Sequence, residues 1–240
     1  MTAQLVRDEG IVKIWELIGS GDEARLEAML GLYAGLFPQY AHYVPRMRRR
    51  AALGHEQRPG HMVHYWLVEV NGQPAGLRTF RYVRNRQCGL AIALAVDPAF
   101  RRVTVNEQRL AQFLVYACLD QVIADAKGFG DAPVLGMVNE VETRRLMEHY
   151  QNYGIIELPV KYAEPVFPSE HETRSRDEEI ALLRFLPISL GFLPNAALNG
   201  QAYRVEKVAD FVLAFLVDHY GLPVDHPQVR AALDSIPILS

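Results

Sequence analysis

Apolar positions along this chain recur with a period of two in some stretches and of about 3.6 in others, and the changes of period mark the elements. Residues 11–18, IVKIWELI, alternate loosely and predict a first strand. Leu26, Met29, Leu30, Tyr33 and Leu36 then fall at helical spacing, so a helix is expected over about 22–36. Ser20 and Glu23 stand at capping-box spacing before it, and Pro38 stops it. Residues 39–63 mix a basic cluster with prolines and glycines, which predicts a short helix near 45–52 inside a mobile segment. HYWLVEV and PAGLRTFRYV flank Asn71-Gly72, a dipeptide that supplies positive φ at both turn positions and predicts a tight hairpin. Residues 88–96, CGLAIALAV, are apolar on both faces and predict a central strand.

A long helix is expected over about 106–127, with Leu110, Phe113, Leu114, Ala117, Cys118, Gln121 and Val122 on one stripe and Gly128 as its end. A short buried strand follows at 132–138, then an amphipathic helix at 141–154 closed by Gly154. Two β-like runs, 155–167 and 180–188, are separated by the acidic tract PSEHETRSRDEE, expected to be an exposed loop. Beyond Pro194 the chain turns helical: 202–220 presents Val205, Val208, Phe211, Val212, Phe215 and Leu216 inward, and Asp225 with Pro227 opens a last helix ending near Ser235.

With 240 residues, half of them apolar, and a formal charge of -3, the chain has enough material for a sizeable core and no general affinity for nucleic acid. No apolar window approaches the length of a membrane span, and MTAQLVRDEG lacks an apolar leader core, so a soluble cytoplasmic protein is expected, with no membrane partner. Cys88 and Cys118 are too few for a disulfide framework and are expected to be reduced, buried and inert. His55, His61 and His64 lack a Cys or carboxylate in a ligand pattern beside them, so they read as loop and strand histidines and no metal is expected. Arg46, Arg48, Arg49 and Arg50 read as a solvated helix face.

The chemistry-bearing stretch is LAVDPAFRRVTVNEQRL, residues 94–110, an apolar strand broken at Asp97-Pro98, a basic loop and a helix. Backbone N–H groups at the start of a helix converge with its positive dipole end, which makes such a crossing a place to hold a phosphate. Arg101 and Arg102 add positive charge there, or else pair with Asp97 or Glu107. Glycine ordinarily lets such a loop approach phosphates; Thr104 and Asn106 occupy those places, and Asn tolerates the left-handed region and serves as an N-cap.

The order of elements, with this crossing at its centre, resembles the GNAT acetyltransferase superfamily over roughly residues 10–189. The stretch at 94–110 is similar to that family's acyl-CoA motif V-x-P-x-x-R-x-x-G-x-G, with Val96, Pro98 and Arg101 in place. LMEHYQNYGI is similar to its motif Y-x-x-x-G-F, with Tyr150 and Gly154 in place and Ile155 for Phe. The resemblance implies an α/β (α+β) fold, a mixed, mostly antiparallel central sheet flanked by helices, over residues 1–189, with a C-terminal helical extension at 190–240. It implies acetyl-CoA or another acyl-CoA as co-substrate and a small-molecule or peptide amine as acceptor. The backbone of Leu94, Ala95 and Val96 would donate to the thioester carbonyl, and Arg101, Arg102, Val103, Thr104, Val105 and Asn106 would hold the diphosphate. Small side chains at Ala91, Ala93 and Ala95 leave room for pantetheine or serve close helix packing. Tyr150 would protonate the departing thiolate, with Tyr153 and His149 as neighbours able to replace it. Glu69, Glu140, Glu142, His149 or a water chain would deprotonate the amine. The apolar stripe of the C-terminal helices would cover the sheet or a second subunit of a homodimer. An alternative is a GNAT-fold protein without catalysis, serving as an acyl-CoA sensor or interaction module.

Overall fold

Asn71 and Gly72 take φ of 50° and 75°, so the hairpin forms around them as the dipeptide predicts. The computed structural model describes residues 2–168 and 175–237 and divides into two units, 1–82 with 91–125, and 83–90 with 126–240.

In chain order the elements of the first part are β1 (Gln4–Glu9), β2 (Val12–Glu16), α1 (Glu23–Leu36), α2 (Val44–Ala51), β3 (Glu56–Arg58), β4 (His61–Val70), β5 (Gln73–Val83), β6 (Cys88–Val96), β7 (Thr104–Val105), β8 (Gln108–Arg109) and α3 (Leu110–Phe129). In the first unit the strand order is β1-β2-β4-β5-β6, with β3 on β4, and β1/β2, β2/β4 and β3/β4 are antiparallel. Strand β1 was not expected, because QLVRDE is largely polar and buries none of its side chains fully. Helix α1 is capped by Asp22, whose carboxylate accepts Arg25 N at 3.1 Å, and not by Ser20, whose hydroxyl donates to Leu17 O instead. Helix α3 begins at Leu110, four residues later than its apolar stripe suggested, because residues 104–109 form the small antiparallel ladder β7/β8.

The second unit contains β9 (Gly136–Val141), α4 (Arg144–Gln151), β10 (Ile156–Glu157), β11 (Tyr162–Val166), α5 (Arg176–Ala181), β12 (Arg184–Pro194), α6 (Val208–Leu213), a π-helical segment at Ala214–His219, and α7 (Pro227–Asp234). Strands β9, β12 and β10 lie side by side and β11 pairs with β12, all antiparallel. Of the acidic tract expected as a loop, 169–174 lie outside the described residues, while Ser175 and Glu178 make a reciprocal capping box that opens α5. The strand expected from residue 180 therefore starts at Arg184 and runs through residue 189 to Pro194.

The C-terminal helices cover their own unit's sheet: Phe211, Phe215 and Val229 are fully buried with Val138, Leu190 and Phe192. The stretch expected as one helix over 202–220 is a short 3₁₀ turn, α6 and the π segment. The fold is mixed α/β, with mostly antiparallel pairing and flanking helices. Among the described residues, no helix is long and apolar enough to cross a membrane.

Candidate functional site

The strand-to-helix crossing is built by local hydrogen bonds. At the end of β6, Asp97 N donates to Ala75 O on β5 at 2.9 Å, and the Asp97 carboxylate accepts Ala99 N at 2.8 Å, opening a 3₁₀ turn at Pro98–Phe100. The ladder then pairs Thr104 with Arg109 and Val105 with Gln108. Asn106 and Glu107 at its tip both take positive φ, 48° and 68°, the combination of a type I′ turn. Asn106 thus adopts the left-handed conformation its residue type allows, but it sits in a hairpin turn and does not cap α3.

This arrangement alters the phosphate reading. The amides of Phe100, Val103 and Leu110 donate to Asp97 O, Phe100 O and Val103 O at 2.9–3.0 Å, so those three are spent on the loop itself. The electropositive end of α3 moves from Asn106 to the first turn after Leu110. Arg101 and Arg102 are exposed ahead of it; Arg101 Nε reaches Val96 O at 3.3 Å, and Arg102 O accepts Arg109 Nη1 at 2.9 Å. Val103 is half-buried, Thr104 exposed and Val105 buried. On β6, Leu94 and Ala95 are half-buried and Val96 is buried. Strand β5 passes so close that a Cβ on Gly76 would stand 2.6 Å from Ala95 O.

In the second unit, Thr143 caps α4 and Gly154, at φ 76°, ends the turn after it. Tyr150 is half-buried, with its ring centroid 5.9 Å from that of buried Tyr153, whose hydroxyl lies 2.7 Å from His149 Nε2. Of the carboxylates considered as a base, Glu69 accepts Trp15 Nε1 at 2.8 Å and Arg25 Nε at 3.1 Å, so both of its oxygens are engaged. Glu142 is exposed. Glu140, half-buried on β9, accepts the hydroxyls of Tyr162 at 2.5 Å and Tyr220 at 2.6 Å. Burial, then the nearby Glu164 carboxylate, hold its pKa well above the usual carboxylate range despite those two donors. The π segment of the C-terminal region leads directly into Tyr220, whose N–H bonds Phe215 O at 2.9 Å.

One network in the first unit has no counterpart in the sequence reading. His64 lies buried between two carboxylates, with Nδ1 2.7 Å from Glu16 Oε2 and Nε2 2.9 Å from Asp125 Oδ2. Burial disfavours its charge, but the hydrogen bonds to Asp125 and Glu16 and their negative charge prevail, raising its pKa to about 9. Ligand atoms of Glu16, His55 and His64 lie within 4.8 Å of one another, the spacing of a metal cluster. An imidazolium has no lone pair for a cation, so the resting arrangement is an ion pair. Cys88 and Cys118 are free and buried; burial pushes the Cys88 thiol up, and Cys118 Sγ accepts from Arg78 Nη2 at 3.2 Å.

No protein-family model matches the chain, and no curated protein matches it. Its fold is similar to that of solved acetyltransferases. A protein assigned to the GNAT family of acetyltransferases from Bacteroides thetaiotaomicron is 18% identical, over 88% of this chain and 99% of that one, with a TM-score of 0.47. RimL, a ribosomal alpha-N-protein acetyltransferase in complex with coenzyme A, is 12% identical over 81% of this chain and 99% of that one, with a TM-score of 0.48. A Bacillus subtilis acetyltransferase in complex with CoA is 13% identical over 77% of this chain and 99% of that one, with a TM-score of 0.40. At these scores the likenesses assign no activity to this chain.

Proposed function

We propose that the protein is an acyltransferase of GNAT type that moves an acetyl or other short acyl group from CoA to a small-molecule or peptide amine. The observation that carries this reading is the crossing at 94–110: a strand ending at Val96, the Asp97-Pro98 turn, and two exposed arginines ahead of a long helix. The backbone of Leu94, Ala95 and Val96 would receive the thioester carbonyl. Arg101 and Arg102, with the remaining amides of the loop 103–106 and the first turn of α3, would hold the diphosphate. The amine nitrogen attacks the thioester carbon, an N–C bond forms, the C–S bond breaks and its electron pair leaves on sulfur. Tyr150 would protonate that thiolate, while a base or water removes the proton from the amine.

The hairpin favours a second reading. Because the loop spends the Phe100, Val103 and Leu110 amides internally, a chain with this geometry also suits a GNAT-fold protein without catalysis that senses acyl-CoA or docks a partner. Thermal shift with acetyl-CoA separates the readings: a shift abolished by R101A/R102A is expected, with turnover of an amine panel that Y150F lowers without weakening CoA binding. A shift without turnover of any amine supports the sensor. No shift at millimolar acetyl-CoA removes both.

A further inference from the structure

At the end of β2 the first unit holds a set of ligand atoms whose outer partners are already in place. Glu16, the last residue of β2, His55, just ahead of β3, and His64, on β4, bring one ligand atom each within 4.8 Å of one another. A carbonyl oxygen only accepts, so the 2.8 Å contact of His55 Nδ1 with Val63 O fixes a proton on Nδ1 and leaves the lone pair of the neutral ring on Nε2. Val63 N donates in turn to His55 O at 2.9 Å, so ring and backbone are tied to the same residue. The His64 ring stacks on Phe80, with 4.7 Å between centroids and 14° between planes, and its centroid lies 4.9 Å from that of His55. Its Nε2 meets Asp125 Oδ2 at 2.9 Å, and Asp125 Oδ1 accepts Gln121 Nε2 at 2.9 Å. Glu16 Oε1 accepts the amides of Leu17, Ile18 and Tyr65, while Oε2 meets Trp66 Nε1 and His64 Nδ1. Each inner atom thus belongs to a side chain that an outer partner orients, the arrangement that directs ligands in metal centres.

The charges in this network do not balance. Glu16 and Asp125, 4% and 9% exposed, are both carboxylates, and among the described residues neither pairs with a lysine or arginine. An imidazolium at His64 answers one of them and leaves one negative charge buried, which is costly. A divalent cation in place of the His64 proton makes the group neutral, with one proton released to solvent. We propose that Glu16 Oε2, His55 Nε2 and His64 Nδ1 form a binding site for a divalent transition cation of the zinc class, with Asp125 positioning His64. Two imidazoles and one carboxylate suit Zn2+ or Co2+, whereas Mg2+ and Ca2+ take oxygen ligands. The ion pair is the metal-free form of the same atoms, and cation and proton exclude one another at Nδ1. His55 is half-buried where Glu16 and His64 are buried, so it is the ligand nearest solvent. No spacing in the sequence announces the set, because Glu16 stands 48 residues before His64. The proposal is independent of the acyltransferase reading.

The test uses the full chain, stripped with a chelator and dialysed. Co2+ is titrated with visible absorption as the readout, and Zn2+ by calorimetry, in the wild type, H55Q, D125N and H42Q. One equivalent of Co2+ should develop the ligand-field bands of a nitrogen–oxygen site, and one equivalent of Zn2+ should bind and raise the melting temperature. H55Q, which removes the half-buried ligand, should weaken both by about 100-fold or more. D125N, which keeps all three ligands, should weaken them by about 10- to 100-fold and displace the Co2+ bands. H42Q, at a half-buried histidine outside the set, should bind as the wild type does. Circular dichroism of each metal-free variant separates lost binding from lost fold. A readout that needs no variant is the histidine ring spectrum of the wild type by NMR: one equivalent of Zn2+ should move His55 and His64 and leave the other histidines in place. No stoichiometric uptake of either cation overturns the site. Equal affinity in H55Q and wild type, or movement of other histidines instead, assigns the cation to surface imidazoles and overturns it as well.

Discussion

Substituting His64 by Gln should convert the first unit from a protein whose stability falls through the alkaline range into one that is flat there and weaker throughout. The wild-type imidazole rises from 6.5 to about 9 on folding because hydrogen bonds and charge from Asp125 and Glu16 outweigh the cost of burying it. A group whose folded pKa is raised stabilises fully below its unfolded pKa and loses that contribution as pH climbs through the folded value. The window is therefore about 6.5 to 9, and at about 1.36 kcal/mol per pH unit the proton is worth about 3 kcal/mol. In H64Q the two carboxylates, 4% and 9% exposed, lose their common cation while Glu16 keeps its bonds from Leu17, Ile18, Tyr65 and Trp66. Removing one member of such a buried network costs about 3–5 kcal/mol.

Urea unfolding at several pH values from 6 to 10 gives the curves, and subtracting the variant's from the wild type's isolates the His64 contribution from that of every other titrating group. A difference that shrinks by about 3 kcal/mol across the window is expected. The direct check needs no variant: the His64 ring protons followed by NMR should titrate near 9 in the native protein. Titration between 6 and 7, or a stability difference independent of pH, would refute the ion-pair account and reopen Glu16, His55 and His64 as a set of ligands in the resting protein.

Three further outcomes follow from other contacts. E140Q should fold and weaken the pH dependence of the second unit: with its folded pKa raised, Glu140 stabilises in its protonated form, and that contribution fades as pH rises through the folded value, so in thermal unfolding the variant should gain on the wild type as pH rises, and an unchanged difference at every pH would refute the account. G76A should cost about 1–3 kcal/mol in denaturant unfolding, since its methyl would meet the Ala95 carbonyl at 2.6 Å and backbone, unlike a side-chain tip, cannot swing away; a neutral effect would mean β5 and β6 are looser than described. E107G should stabilise by ~0.5–1 kcal/mol, because glycine takes the φ of 68° without penalty, and an unchanged melting temperature would show that the tip of the β7/β8 hairpin carries no strain.

What the residues disclosed in advance follows how local each determinant is. The Asn71-Gly72 hairpin, α1, α2 and α7 rest on turn chemistry or on periodicity within a few residues, and they lie close to where the pattern placed them. The β7/β8 ladder was hidden because TVNEQR contains residues at home in a helix and continues the stripe of α3; only the pair Asn106-Glu107, without a glycine, turns it back. Strand β1 has too few apolar positions to register, and a π segment leaves no periodic signature across six residues. His64 was visible only as a histidine on a strand: its partners lie 48 and 61 residues away and carry no spacing to read. Glu140 was legible as a strand carboxylate, but its two tyrosine donors were not, since Tyr220 arrives from the C-terminal region after β12.

The two buried networks reach the same pH dependence by opposite electrostatics. His64 is raised because the hydrogen bonds and charge of flanking carboxylates outweigh its burial, whereas Glu140 is raised by burial and then by the like charge of Glu164, against two phenol donors that supply hydrogen bonds but no positive charge. Each group is raised, so each contributes stability at lower pH that fades as pH rises, one in each unit. Acyl transfer to an amine pulls the other way, because only the deprotonated amine attacks and its fraction grows with pH. Under the proposed function, the alkaline limb of a turnover profile should therefore coincide with loss of the native circular dichroism signal rather than with ionisation of Tyr150. Measuring both on the same samples settles it: turnover that collapses while the fold persists would return the alkaline limit to a group at the reacting atoms.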